Sequence, residues 1–157
     1  MLKKTLKIIV ILLALGFIII QFFRPDRTNP PVVQTETLEA STELPTVIGN
    51  IFSRSCADCH SNNTVYPWYS NVAPVSWLLA DDIRDGRRQV NFSVWNTYDA
   101  RRKERKLDDI CEQVETGEMP LPSYLWIHRD AVLKEGEAQT ICDWTQKEKE
   151  RLEKKSS

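Results

Sequence analysis

The 157-residue chain has only two histidines, His60 and His128, and only two methionines, Met1 and Met119. That scarcity argues against a well-formed zinc site, because His128, Cys111 and Cys142 are too scattered to complete one with Cys56 and Cys59. Positive charge is not in surplus. Net charge is −1, and the first 23 residues hold three of the 21 basic groups and no acid, leaving 18 basic against 22 acidic groups in the rest. Nothing in this balance points to nucleic acid. Glycine is sparse at five, and no βαβ pattern surrounds the cysteines, which argues against a thioredoxin-like redox pair. Tryptophan is plentiful instead: all five lie after residue 67. A domain of about a hundred residues that wraps a large flat apolar ligand has use for such rings.

The stretch Cys56-Ala57-Asp58-Cys59-His60 is the pattern by which haem is attached covalently in c-type cytochromes. Two thiols two residues apart can each reach one vinyl group of a single porphyrin, while the adjoining imidazole reaches the iron. The histidine's Nδ1 is then normally fixed by a backbone carbonyl. Cys56 and Cys59 are therefore the candidate thioether residues of one haem c, and His60 is the candidate proximal ligand.

The second axial ligand is sought among few residues. Gly117-Glu118-Met119-Pro120-Leu121-Pro122 interrupts a helical pattern, and its prolines restrict the backbone and forbid a continuing helix. Met119 lies about sixty residues after His60, where a c-type cytochrome places its thioether ligand, and Met1 is the start residue. Core filler is the competing role for Met119, and His128 is the rival ligand. Trp68, Trp77 and Trp95, with Leu121 beside the methionine, are the candidate lining of the haem pocket.

Lys3, Lys4 and Lys7 precede an apolar run from Ile8 to Ile20, the composition of an export signal. No small-x-small cleavage site and no lipid-attachment cysteine follows, so residues 1–23 read as an uncleaved transmembrane anchor with the N-terminus cytoplasmic. Residues 24–44 read as a flexible, proline-containing linker spanning roughly 25 Å. A haem-binding domain at 45–146 and a charged, fraying tail at 147–157 complete the expected organisation.

Within the domain the apolar spacing predicts four helices. The first runs from Pro45 into the cysteine motif. The second runs from Pro74 to Gly86, where glycine signals a stop. The third covers roughly residues 99–116, and the last runs from about Glu135 past Arg151. Cys111 and Cys142 both fall on inward faces, so they are either bridged or free and buried. Arg101, Arg102, Lys103, Arg105 and Lys106 form a basic cluster, either a solvated face or a docking patch for an acidic redox partner. Arg84, Arg87 and Arg88 are candidates to pair with haem propionates.

Taken together, Cys56-Ala-Asp-Cys-His-Ser-Asn, Tyr66-Pro-Trp-Tyr, Pro74-Val-Ser-Trp-Leu, Asn91-Phe-Ser-x-Trp and Gly117-Glu-Met-Pro-Leu-Pro-Ser-Tyr resemble the small haem-binding domain family of bacterial membrane-anchored, cytochrome-c-like proteins. The resemblance covers roughly residues 45–146. It implies an all-α, cytochrome-c-like fold, haem c on Cys56 and Cys59, and His60 and Met119 on the iron. It says nothing about a Cys111–Cys142 bridge. The expected protein is a non-enzymatic single-electron carrier on the bacterial inner membrane, single-pass, with its haem domain periplasmic. Its expected partners are extracytoplasmic or membrane redox proteins. An open sixth iron site would instead make it a haem sensor or a peroxidase-like protein, and a haem-free zinc or structural module is the third class.

Overall fold

The structure, a computed structural model, describes residues 2–156, and these form helices and loops without strands. Helix α1 (Leu2–Ile20) buries none of its residues. Its apolar run of thirteen residues, Ile8 to Ile20, covers only about 20 Å at 1.5 Å per residue, against about 30 Å of bilayer hydrocarbon. The three lysines take up the first turns. No helix among the described residues is long and apolar enough to cross a membrane, which overturns the expected transmembrane helix.

Nor is residues 24–44 a flexible linker. Gln21 at the end of α1 clamps the backbone of Ala73, donating from Nε2 to its carbonyl at 3.0 Å and accepting from its N–H at 2.9 Å. Asn29 donates to the Thr64 carbonyl, and Asn62 donates to that of Pro31. A 3-10 turn, Gln34–Glu36, leads into α2 (Leu38–Ser41), whose first turn is capped by the Thr37 hydroxyl. Leu38 is wholly buried in the main apolar core. The segment is polar because it bonds to the domain through side chains, and two leucines anchor it, Leu38 inside the core and Leu44 packed against it.

Helix α3 (Thr46–Ser55) turns Ile48, Ile51 and Phe52 inward and ends at Cys56, after which α4 (Ala57–His60) forms one further turn. A 3-10 turn, Trp68–Asn71, precedes α5 (Val75–Gln89). That helix runs through Gly86 rather than ending there. A second 3-10 stretch, Phe92–Thr97, brings Phe92 face to face with Phe52, 5.0 Å between centroids, while Trp144 meets Phe52 edge-on at 5.4 Å.

Asp99 caps α6 (Ala100–Glu115) by accepting from the Arg102 N–H at 2.7 Å. Helix α7 (Pro122–Leu125) and a 3-10 turn, Arg129–Ala131, lead to α8 (Glu137–Ser156). Leu107 and Val114 of α6 pack with Ile141 and Cys142 of α8 in one cluster. A Cys111–Cys142 disulfide joins the two helices at a Cα separation of 4.8 Å. The charged C-terminal stretch does not fray within the described residues. Glu148 is buried against Arg151, Arg151 also donates to the Ser41 carbonyl, and Leu152 packs on the core.

Candidate haem site

The break between α3 and α4 presents Cys56, Cys59 and His60 together. Cys56 leaves the helical path of α3, and the N–H groups of Cys59 and His60 return to its carbonyl, so three reactive side chains leave one tight turn. Both cysteines are unbridged, although only two residues separate them. Burial, then the neighbouring Cys59 sulfur, pushes the Cys56 thiol up to about 12. Burial, then Asp82 and Asp58, does the same to Cys59. Both are therefore protonated thiols at neutral pH, protected from ionisation.

His60 Nδ1 lies 3.0 Å from the Val90 carbonyl oxygen, the segment just after α5. A carbonyl can only accept, so Nδ1 carries the proton and Nε2 keeps a free lone pair. Burial holds the imidazole below its ordinary value, against the opposing pull of its bonds to the Val90 and Gly86 carbonyls. The result is a neutral ring oriented as a metal ligand.

Two adjoining cavities flank this turn. One, of about 380 Å³, is walled by Phe52, Phe92, Ile110 and Val114 among others. The other, of about 250 Å³, is walled by Cys59, Asp82, Gly86, Leu121 and Tyr124 among others. Cys56, His60, Gln89 and Met119 line both, so the two are halves of one cleft. The larger half alone falls in the range of small-ligand pockets. Met119 sits on a loop tied back to α6, its N–H donating to the Gln113 carbonyl at 3.0 Å.

The structure thus brings Cys56, Cys59, His60, Met119 and Leu121 to one cleft. It does not bring the tryptophans there. Trp68 is 75% exposed, Trp95 is 1% exposed and packs edge-on to Tyr98 in the core, and Trp77 lies on the surface donating to the Phe23 carbonyl at 2.6 Å. These three pocket assignments are corrected: the apolar part of the walls is aliphatic side chains and phenylalanine, with Tyr124, and charged side chains of α4, α5 and α6 complete the lining. Ile110 and Val114 lie on the α6 face that reads as core, because an i, i+4 apolar pair has the same pattern whether it meets a protein or a ligand.

His128 lines neither cavity. It stacks on Tyr124 with centroids 4.1 Å apart, and its Nε2 bonds the Tyr69 hydroxyl at 2.7 Å. Tyr124 in turn donates to Asp58 at 3.0 Å, and burial, then Asp58, raises its phenol well above the usual range. This chain braces the cysteine turn from outside. The arginines suggested for propionates are also engaged elsewhere. Arg84 and Arg88 pair with Asp81 and Asp85, and Arg87 donates to the Ser61 carbonyl, Asn29 and Thr64.

An apolar cleft floored by two unpaired thiols and an oriented imidazole, with a thioether on the same walls, defines a helical haem-binding protein. The chain belongs to the haem-binding domain family, whose family model matches residues 15–147. The match spans the last six residues of α1 through about the first half of α8, so the N-terminal segment packed on the domain falls within it. Neither the curated proteins nor the solved structures give a match.

Proposed function

We propose that this chain is a c-type cytochrome domain that carries single electrons on the extracytoplasmic side. When bound, haem supplies an iron that gains and loses one electron without a substrate. In this reading Cys56 and Cys59 would hold the haem by their thiols, and His60 Nε2 and the Met119 sulfur would be the residues that bind its iron. Burial of the cleft and the choice of a thioether over a harder ligand both favour the reduced iron. The observation that carries the proposal is the presence of His60 and Met119 on the walls of the same cleft, with His60 Nδ1 already committed to the Val90 carbonyl.

Localisation follows from chemistry and composition. The Cys111–Cys142 disulfide suits an oxidising compartment, and a thirteen-residue apolar run after three lysines has the length of a secretory signal's core. Partners would be extracytoplasmic redox proteins. Arg101, Arg102 and Arg105 stay exposed on α6, where they would favour an acidic one.

The test is the visible spectrum, oxidised and reduced, of protein made in cells with haem-attachment machinery, beside Met119→Ala. A low-spin spectrum whose weak far-red sulfur-to-iron band vanishes in the variant supports electron transfer. If the wild type lacks that band and its reduced form binds carbon monoxide readily, the sixth site is open and the sensor or peroxidase role replaces it. A colourless protein eliminates both.

A further inference from the structure

The cleft has an electrostatic polarity that the cysteine motif does not announce. Among the residues lining its two halves, Lys106 is the sole lysine or arginine, and it lines only the larger half. Its side chain is 16% exposed, although it belongs to a cluster that reads as a solvated face. The smaller half carries Asp58, Asp82 and Asp85 and no basic side chain, and Cys59 lines that half alone.

A haem brings two propionate carboxylates on the edge of the ring away from the thioether-forming vinyl groups. Turned toward Asp58 and Asp82, which have no cationic partner among the described ion pairs, they would meet like charge in a partly desolvated site, where repulsion is poorly screened. Turned toward α6, they meet an ammonium group. We propose that Lys106 is the propionate-binding residue of this cleft and fixes the haem's in-plane orientation, with its carboxylates toward α6 and its thioether edge toward Asp58 and Asp82. The inference rests on the haem reading above.

Three features of the chain support it. Asp109, one turn along α6 and 56% exposed, accepts from Lys106 Nζ at 3.1 Å. An ammonium group has three donors, so this bond positions Lys106 and leaves two free. Gln113 lines the larger half alone and offers an amide N–H group to a carboxylate there. The alternative cations line neither half and are engaged, Arg84 with Asp81, Arg88 with Asp85 at the rim, and Arg87 with the Ser61 carbonyl.

The experiment uses the full haem-loaded chain and measures reduction potential as a function of pH for wild type, Lys106→Gln, Lys106→Arg and Asp109→Asn. Covalent haem content by mass is the parallel readout. Besides the two cysteines, the other charged or titratable groups facing the cleft are Asp109 on α6, Asp58 and His60 on α4, Asp82 and Asp85 on α5, and Tyr124 on α7. Loss of the Lys106 cation should raise the propionate-linked inflection by about one pH unit with haem content unchanged. Lys106→Arg should restore it, and Asp109→Asn should move it the opposite way. An inflection unmoved in Lys106→Gln, with haem still attached, overturns the proposal and leaves the haem reading standing. Absence of covalent haem from the wild type overturns the haem reading itself.

Discussion

Gly86 passes so close to Cys59 that a β-carbon on the glycine would sit 2.7 Å from the Cys59 carbonyl oxygen. The contact is backbone against backbone, so no flexible side chain can yield. Helix α5 and the cysteine turn are pressed together there, and the same closeness brings His60 Nδ1 within reach of Val90 four residues on. Gly86→Ala gains about 1 kcal/mol in helix propensity but must push the turn away. We expect a net loss of about 1–3 kcal/mol, as for other overpacked sites, together with reduced haem loading. Urea denaturation and the mass of attached haem measure the two effects, and a variant as stable and as fully loaded as wild type would show that the turn moves freely.

Leu38 tests whether the segment before the cysteine domain belongs to it. The residue is completely buried among Ile48, Ile51 and Trp95 of the main core. Leu38→Ala should cost about 2–5 kcal/mol, the range for large-to-small changes in a packed core. A flexible linker would lose well under 1 kcal/mol. Equilibrium denaturation separates the two.

The convergence of Cys56, Cys59 and His60 on one turn was legible in the sequence, because only two residues separate the thiols and the histidine adjoins the second. The helical character of the domain was legible from apolar periodicity, and Met119 from the prolines beside it. What the sequence hid is tertiary. Gly86 reads as a helix stop, since a glycine needed for close approach looks the same as one needed for termination. Trp68, Trp77 and Trp95 read as pocket wall because aromatic rings near a cofactor motif carry no label for which surface they face. Leu38 is one of a few scattered apolar residues in a polar, proline-containing stretch, too little signal to distinguish a docked strap from a linker. Lys106 vanishes into a basic run until the fold shows which member turns inward.

Glu137 gives the pH dependence. Its carboxylate joins α3 to the start of α8, accepting from Arg54 at 2.6 Å and from the Lys134 N–H at 2.7 Å. Burial pushes its value up, but the bonds from Arg54 and Lys134 outweigh burial and hold it below the ordinary carboxylate value. A folded-state value below the unfolded one contributes stability that is fully present above the unfolded value and is lost as pH falls through the folded value. Wild type should therefore be more stable than Glu137→Gln at pH 7, and the gap should close in acid. Thermal melts across that range give the answer, and a gap that does not depend on pH would assign the effect to packing instead of charge.

The disulfide does more than staple two helices. Cys111 and Cys142 are 31 residues apart, and the loop they close contains Met119, α7 and the stacked His128. Closing a loop of that length removes denatured-state entropy worth about 3–4 kcal/mol in the chain-entropy account. The double variant Cys111→Ser/Cys142→Ser should lose stability of that order. Wild type treated with dithiothreitol should fall to the same level, with no further fall in the variant. The second consequence concerns the iron. The Met119 loop hangs between α6 and α8, and beyond the bridge its own backbone bond to Gln113 reaches only α6. Once α6 and α8 are no longer joined covalently, opening of the loop requires fewer contacts to break. The far-red sulfur-to-iron band should then weaken at a lower temperature in the double variant than its global unfolding does. Loss of the band only together with global unfolding would mean that the packing of Leu107 and Val114 against Ile141, with the Tyr124–Asp58 and His128–Tyr69 hydrogen bonds, holds the loop without the bridge.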